Sequence, residues 1–246
     1  MASEDFDFDG EFGDLEDDLD LTLYADQGEL ITEVVAQTLQ SINEGLFNKN
    51  RYDLALTGGT LGLAIAQKLV EEFNDKTSEF SGLHIWWSDE RYVPADSQER
   101  NAQSIRNSLG NSNIKVHEVQ ASDESESAYS ALINYEKELL EVRLDLVILG
   151  VGPDGHVASL FPGMADLDDL RTVFLLEDSP KPPLTRISFT MATINSASKV
   201  WMVATGESKA DAVTKIIEAD LSIPASFVKG RDHTRLIVDT DAFFAE

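Results

Sequence analysis

The residue best suited to proton transfer in this sequence is His156, which stands in a glycine-rich segment. Residues 150–163 read Gly-Val-Gly-Pro-Asp-Gly-His-Val-Ala-Ser-Leu-Phe-Pro-Gly and follow an apolar run at 144–149 that predicts a strand. A histidine held on a tight turn at a strand end can be neutral near pH 7 and accept a proton from water. The other histidines, His84, His117 and His233, lack such a frame. We predict a general base at His156, with a hydrogen-bonded structural histidine as the alternative.

The same segment contains the spacing of a dinucleotide fingerprint, in Gly150, Gly152 and Gly155. That fingerprint needs a full crossover helix after its third glycine, and Pro162 followed by Gly163 stops any helix within about two turns. Asp154 would also direct a negative charge at a pyrophosphate. We therefore reject a dinucleotide site, although Glu177 stands near the place of a ribose-binding acid.

A second candidate site is the turn at Gly58-Gly59, between a predicted strand at 52–57 and a predicted helix at 61–73. Two glycines allow a tight turn that brings bare backbone N–H groups close to a ligand. The N-terminus of the helix adds a partial positive charge that suits phosphate, and Thr60 adds a hydroxyl donor. The alternative is an ordinary turn with Thr60 as the helix N-cap. It is not a P-loop, because no Gly-Lys-Ser/Thr follows.

Three basic residues complete the candidate site. Arg91 follows the predicted strand at 83–87, where ligands of parallel sheets bind, and acidic neighbours could aim its guanidinium or pair with it. Arg186 lies at the start of a predicted strand at 186–190. Lys209 lies in the first turn of a predicted helix at 207–219, where a cation opposes the helix dipole. An anionic ligand would explain that lysine, although a solvated side chain explains it nearly as well.

The elements that position these residues predict an α/β fold. Apolar strands alternate with segments of helical period, and strands that are apolar throughout favour a mainly parallel, Rossmann-like sheet with helices on both faces. Further strands are predicted at 172–176, 200–205 and 235–238, and further helices near 31–42, 100–109 and 125–142.

Composition narrows the possible partners. The net charge is −26, from 45 acidic and 19 basic residues, and such a field repels nucleic acid and anionic membranes. No apolar run approaches the roughly 20 residues that span a bilayer. The absence of cysteine excludes disulfides and thiolate metal sites. The N-terminus shows no basic and apolar leader, so we expect a cytoplasmic protein. We also expect a monomer that binds neither nucleic acid nor membrane.

The acidic residues concentrate at the N-terminus. Residues 3–20 carry ten acids and no base, interrupted by Phe6, Phe8 and Phe12. Such a segment repels itself, so we expect residues 1–20 to be disordered and residues 21–246 to form a single α/β domain.

Four blocks of residues, taken together, resemble the 6-phosphogluconolactonase family. They are the Gly58-Gly59 turn, Asp89-Glu90-Arg91 with Val93-Pro94 and Asn101, the segment from Asp154-Gly155-His156 to Gly163, and Arg186 through Lys209-Ala210. The resemblance covers roughly residues 24–238, and its most specific part is Ser159-Leu160-Phe161-Pro162-Gly163. The sequence departs from the family at Leu61-Gly62, where Pro is usual, at Arg100 and at Val157.

The resemblance implies a fold like that of glucosamine-6-phosphate deaminase. It implies hydrolysis of 6-phosphoglucono-1,5-lactone, a phosphorylated sugar lactone, in the pentose phosphate pathway without a metal or cofactor. Carried over by position, His156 would activate water, and Asp154 would orient His156 or the substrate hydroxyls. Arg91 would hold the phosphate or the reacting carbonyl. The phosphate would lie among Gly58, Gly59, Thr60, Arg186 and Lys209.

Two other functions remain open at this point. A deaminase or isomerase of amino-sugar phosphates would look for an acid a few residues after the histidine, where this sequence has Leu160-Phe161. A non-catalytic sugar-phosphate sensor would need only the phosphate cluster, so that His156 and Asp154 would have no role.

Overall fold

The computed structural model describes residues 19–75, 80–106, 108–110, 113–164 and 169–244. Its ten strands are β1 (Leu19–Tyr24), β2 (Tyr52–Leu56), β3 (Leu83–Trp87), β4 (Asp89–Arg91), β5 (Lys115–Val116), β6 (Leu146–Gly150), β7 (Val173–Leu176), β8 (Arg186–Phe189), β9 (Lys199–Ala204) and β10 (His233–Asp239). Seven of them form one sheet in the order β1-β10-β9-β6-β2-β3-β5. Every pairing in this sheet is parallel, as the apolar strands predict.

Helices cover both faces of the sheet. They are α1 (Gln27–Lys49), α2 (Gly59–Asp75), α3 (Gln103–Arg106), α4 (Ala128–Leu139), α5 (Met191–Asn195), α6 (Ala210–Ile217) and α7 (Thr240–Phe243), with 3₁₀ turns at Glu207–Lys209 and Pro224–Phe227. Buried residues of α1, α2 and α3 form one apolar core, and those of α4 to α7 form the other. The sheet lies between these two cores, so the α/β prediction is confirmed.

The alternating directions of its side chains explain why the sequence of β6 is apolar throughout. Leu146 and Ile148 point into the core with α1 and α2, whereas Val147 and Leu149 point into the core with α4 and α6. Successive side chains of a strand face opposite sides, so a strand covered on both sides needs an unbroken apolar run.

The strand order reverses between β2 and β6. Strands that follow β2 in the sequence extend the sheet on one side, and strands that follow β6 extend it on the other. Ligands of open α/β sheets bind at such a switch point, outside the carboxyl ends of the strands. Gly58 follows β2 and Gly150 ends β6, so both glycine segments lie at this point.

A second, three-stranded sheet has the order β4-β8-β7 and is antiparallel. The sequence predicts β7 and β8 correctly as strands, but assigns them to no separate sheet, and it predicts no strand at Asp89–Arg91. The chain instead runs from β3 through Ser88 directly into β4. The backbone N–H of Ser88 donates to Leu56 at 2.8 Å, and that of Phe189 donates to Ser88 at 2.8 Å, which joins the two sheets.

Other elements are shorter than the sequence predicts. The expected helix at 100–109 is reduced to α3, because the backbone amides of Asn101 and Ala102 turn onto the buried carboxylate of Glu90, at 2.7 and 2.9 Å. The expected helix at 125–142 begins only after Ser127, whose hydroxyl accepts from the amide of Ser130.

The first strand begins at Leu19, two residues before the expected boundary, and pairs with β10. Residues 1–18 lie outside the described residues, so the expectation of disorder there stays a prediction. Among the helices of the described residues, none has the length and apolar character needed to cross a membrane.

Candidate active site

A cavity of about 490 Å³ opens at the switch point between β2 and β6. Seven of the eight predicted site residues line it: Gly58, Gly59, Thr60, Arg91, His156, Arg186 and Lys209. The eighth, Asp154, contacts His156 directly. The volume lies within the range of small-molecule sites, about 300–1,000 Å³. Residues spread over about 150 positions of the sequence thus converge on one crevice.

His156 is presented by a tight turn that depends on glycine. The N–H of Gly155 donates to the carbonyl of Gly152 at 2.9 Å, and the N–H of Gly152 donates to the carbonyl of His156 at 2.9 Å. A methyl group on Gly152 would stand 1.9 Å from Nδ1 of His156. Gly155 has a φ of +77°, which L side chains rarely adopt. The glycine spacing that resembles a nucleotide fingerprint therefore serves to seat the imidazole.

Asp154 fixes the orientation and tautomer of the imidazole. Its Oδ1 makes a short hydrogen bond with Nδ1 of His156. An ionised carboxylate only accepts, so Nδ1 carries the proton and Nε2 is left as the basic nitrogen. Burial would by itself raise the pKa of Asp154, but hydrogen bonds from His156 and Lys181 hold that pKa well below its usual range. We call Asp154 and His156 the dyad.

The imidazole is largely enclosed, with 20% of its side chain exposed. Its ring packs on Phe161, with the centroids 4.7 Å apart. Burial lowers the pKa of His156, because the charged form loses solvation, and Asp154 opposes this shift while Lys181 adds to it. A histidine in this state is neutral at pH 7 and can accept a proton.

Lys181 is the residue of this site that the sequence analysis missed. Its Nζ lies 3.0 Å from Oδ2 of Asp154 and 3.3 Å from Nδ1 of His156. The one local signal is its position between Pro180 and Pro182, which indicates a stiff segment between two strands. Its proximity to the dyad depends on the pairing of β7 with β8, which the sequence does not reveal.

The Gly58-Gly59 turn also lines the cavity. A methyl group on Gly58 would stand 2.0 Å from Oδ1 of Asn101, and Gly59 has a φ of +77°. The helix α2 begins at Gly59, two residues earlier than predicted, so Thr60 belongs to its first turn. That turn contains no acidic residue, and the positive end of the helix dipole is therefore left for a ligand.

The guanidinium of Arg91 is not aimed by its acidic neighbours, contrary to the sequence-based expectation. Its Nη1 donates to the carbonyl of Glu99 at 2.7 Å, and its buried Nε finds no partner among the described residues. Glu90 is directed instead to the backbone just before α3, where burial raises its pKa while Arg100 and backbone amides oppose the shift. Asp89 bonds the hydroxyl of Ser159 at 2.7 Å.

Arg186 holds the neighbouring loop as well as lining the cavity. Its Nη2 donates to the carbonyls of Lys181 and Pro182, at 2.8 and 3.3 Å, and its Nε donates to that of Pro183 at 3.1 Å. The remaining nitrogen, Nη1, lies 3.8 Å from Asp89. Burial lowers the pKa of Arg186; Asp89 opposes this and Arg91 adds to it.

Lys209 ends the 3₁₀ turn that precedes α6, rather than lying inside the predicted helix. Burial lowers its pKa, and the nearby charge of Lys181 lowers it further. Arg91, Arg186, Lys181 and Lys209 therefore form a local cationic cluster in a chain whose net charge is −26. Among the described residues, no group of three His, Asp or Glu side chains is placed to hold a metal ion.

Known proteins share both the sequence pattern and the fold. The family model described as glucosamine-6-phosphate isomerases/6-phosphogluconolactonase matches residues 25–238. A 6-phosphogluconolactonase of Mycobacterium tuberculosis is 35% identical over 239 residues, which cover 90% of this chain and 96% of that protein.

The crystal structure of 6-phosphogluconolactonase from Thermotoga maritima matches with a TM-score of 0.78 and 30% identity, over 90% of this chain and 100% of that one. A monomeric glucosamine-6-phosphate deaminase matches with a TM-score of 0.74 at 18% identity, over 91% of this chain and 98% of that one, and so shares the fold. The predicted resemblance is confirmed: this chain belongs to the glucosamine-6-phosphate isomerase/6-phosphogluconolactonase family.

Proposed function

We propose that this chain hydrolyses 6-phosphoglucono-1,5-lactone to 6-phosphogluconate, in the oxidative branch of the pentose phosphate pathway. The observation that carries the proposal is the cavity that His156 shares with Arg91, Arg186 and Lys209. A neutral imidazole supplies a base, and the cluster supplies a seat for a phosphate. The 35% identity with a named 6-phosphogluconolactonase over nearly its whole length supports this choice of substrate.

The chemical step starts from a water molecule beside Nε2 of His156. Nε2 takes a proton as the water oxygen attacks C1 of the lactone, and the resulting tetrahedral intermediate carries an oxyanion. Collapse of this intermediate breaks the bond between C1 and the ring oxygen, and the ring oxygen takes the proton from the imidazolium of His156 as the ring opens, which restores the neutral base. A lactone carbonyl is already electrophilic, so this step uses general-base help of about 10² to 10⁴ in rate and no metal ion or cofactor.

The phosphate is the handle that places C1 next to the base. Gly58, Gly59 and Thr60 offer the start of α2, and Arg186 and Lys209 offer cations across the cavity. Binding energy from a remote group holds the reacting carbon in position and so lowers the entropic part of the barrier. Arg91 holds either the phosphate or the developing oxyanion.

We propose that the enzyme acts as a monomer in the cytoplasm, on a small-molecule substrate, without nucleic acid or membrane partners. The net charge of −26 supports the absence of polyanionic partners.

A direct assay separates this function from its two rivals. The purified chain is incubated with the lactone at fixed pH, and hydrolysis is measured above the spontaneous background; a parallel sample with glucosamine 6-phosphate is tested for ammonia. We expect lactone hydrolysis and no ammonia, because the buried Leu160 and Phe161 stand where the deaminase acid would be. Ammonia release would favour the deaminase, and activity in neither assay would favour the sensor.

A further inference from the structure

We propose that Lys181 is a positioning residue of the dyad, which holds the carboxylate of Asp154 and keeps the imidazole of His156 in its neutral, proton-accepting form. The inference rests on the proposed role of His156 as the base. The ammonium group of Lys181 contacts both members of the dyad, at 3.0 Å from Oδ2 of Asp154 and 3.3 Å from Nδ1 of His156.

The loop that carries Lys181 is anchored independently of its side chain. Arg186 binds three successive carbonyls of that loop, from Lys181 to Pro183. The N–H of the buried Ser179 donates to the carbonyl of Leu184 at 3.0 Å, which closes the loop at its base. The ammonium therefore reaches the dyad from a fixed backbone, while 43% of the side chain stays exposed.

The two contacts of Lys181 have different meanings. Its approach to Oδ2 of Asp154 is an ion pair, and it leaves Oδ1 for the imidazole. Its approach to Nδ1 of His156 brings two donors together, because Nδ1–H already donates to Asp154. When His156 takes up a second proton, Lys181 and the imidazolium repel each other at close range. The carboxylate of Asp154 is thus shared between Lys181 and His156, and it stabilises the imidazolium less than it would without the lysine.

Other charges around the imidazole do not replace this effect. Asp154 and the more distant Asp89 favour the protonated form, and burial and Lys181 oppose it, so that the pKa of His156 is lowered overall. The remaining bases of the cavity are Arg91, Arg186 and Lys209. Arg186 is bonded to loop carbonyls and lies near Asp89, and Arg91 is bonded to Glu99, so neither takes over the contact with the dyad.

The test compares Lys181→Met with the unaltered enzyme by two measurements. The Cε1–H resonance of His156, assigned by its loss in His156→Gln, is titrated by NMR without substrate, and kcat/KM is measured against pH. We expect both titrations to move to higher pH in Lys181→Met. At a pH on the acidic limb, kcat/KM should fall by about fivefold more than on the plateau. This is the size of effect that one unit charge about 4 Å away has in a water-like medium.

Two further variants sharpen the comparison. Lys181→Arg keeps the charge and should return both titrations toward those of the unaltered enzyme. Lys215→Met removes an exposed lysine paired with Asp211, so it controls for the change in net charge and should leave both titrations in place. Thermal melts of each variant check the fold.

The proposal is overturned if Lys181→Met leaves the His156 titration unmoved, in particular if only KM rises, because Lys181 would then serve substrate binding. Failure of the proposed function has a different signature. In that case His156→Gln would retain lactonase activity, while the NMR titration would still report whether Lys181 acts on the imidazole.

Discussion

Arg91 of β4 and Arg186 of β8 stand directly opposite each other in an antiparallel pair, and both side chains line the cavity. Like charges on facing positions of neighbouring strands destabilise a sheet. An anion bound between or beside the two guanidinium groups would offset this repulsion. In the proposed reaction that anion is the substrate phosphate or the oxyanion formed from the lactone carbonyl.

The first prediction concerns Arg91, whose side chain makes a single hydrogen bond within the described residues, to the carbonyl of Glu99. We expect Arg91→Met to lower kcat/KM about 10- to 100-fold, because a hydrogen bond to a charged group is worth ~1.5–3 kcal/mol. The split between KM and kcat identifies its partner: a rise in KM points to the phosphate, and a fall in kcat to the oxyanion. Arg143→Met, outside the cavity, is the matched control. Equal kinetics for the two variants would show that Arg91 touches neither group.

The second prediction is the pH dependence of the unaltered enzyme. Burial lowers the pKa of His156 from its ordinary 6.5, and activity requires the neutral ring. The acidic limb of kcat/KM should therefore have its midpoint below pH 6.5, with activity lost as the pH falls through it. Asp154→Asn removes a charge that favours the imidazolium, so its limb should move to still lower pH while the plateau drops. A midpoint above 6.5 in the unaltered enzyme would contradict this account of the imidazole.

The third prediction tests the glycine seat of the imidazole. In Gly152→Ala the added methyl group would stand 1.9 Å from Nδ1 of His156, so the ring must leave its bond with Asp154. We expect a loss of kcat of at least tenfold with a modest change in Tm. Gly150→Ala, where the nearest atom to the methyl group is 3.7 Å away, should lose far less. Similar losses in the two variants would mean that the position of the ring is not what Gly152 protects.

The fourth prediction concerns the N-terminal boundary. The described lining of the cavity begins at Gln27, and β1 begins at Leu19. Deletion of residues 1–18 should leave kcat/KM and Tm unchanged. Deletion through Tyr24 also removes β1 and exposes the edge of β10, and it should lower Tm by at least several degrees. A large loss of activity in the shorter deletion would show that the acidic segment contributes to the folded enzyme.

Local patterns account for what the sequence predicts well. The strands β2, β3, β6 and β9 can be predicted because burial on both faces requires a mainly apolar run, which Asp53 of β2 and His84 of β3 interrupt only once each. The glycine turns can be predicted because a sharp backbone turn beside a ligand requires glycine. Gly58, His156 and Lys209 are brought together for this reason, since each follows such a strand, whereas Arg91 and Arg186 belong to the small sheet.

The features that the sequence does not predict depend on distant contacts. The small sheet depends on the pairing of β4 with β8 across about 100 residues, and no local pattern shows that pairing. Glu90 shortens α3 by binding backbone amides that would otherwise extend the helix. Lys181 reaches the dyad only through the loop that joins β7 to β8. In each case a non-local contact overrides the local propensity.

The central claim is that the imidazole of His156 is the base of a lactonase. The most direct measurement is the initial rate of 6-phosphoglucono-1,5-lactone hydrolysis, corrected for the spontaneous reaction, for His156→Ala and for the matched control His233→Ala, which alters an exposed histidine at the start of β10. We predict a loss of kcat of about 10² or more in His156→Ala, with Tm close to that of the unaltered enzyme, and no loss in His233→Ala. A rate for folded His156→Ala within a few-fold of the unaltered enzyme would contradict the account.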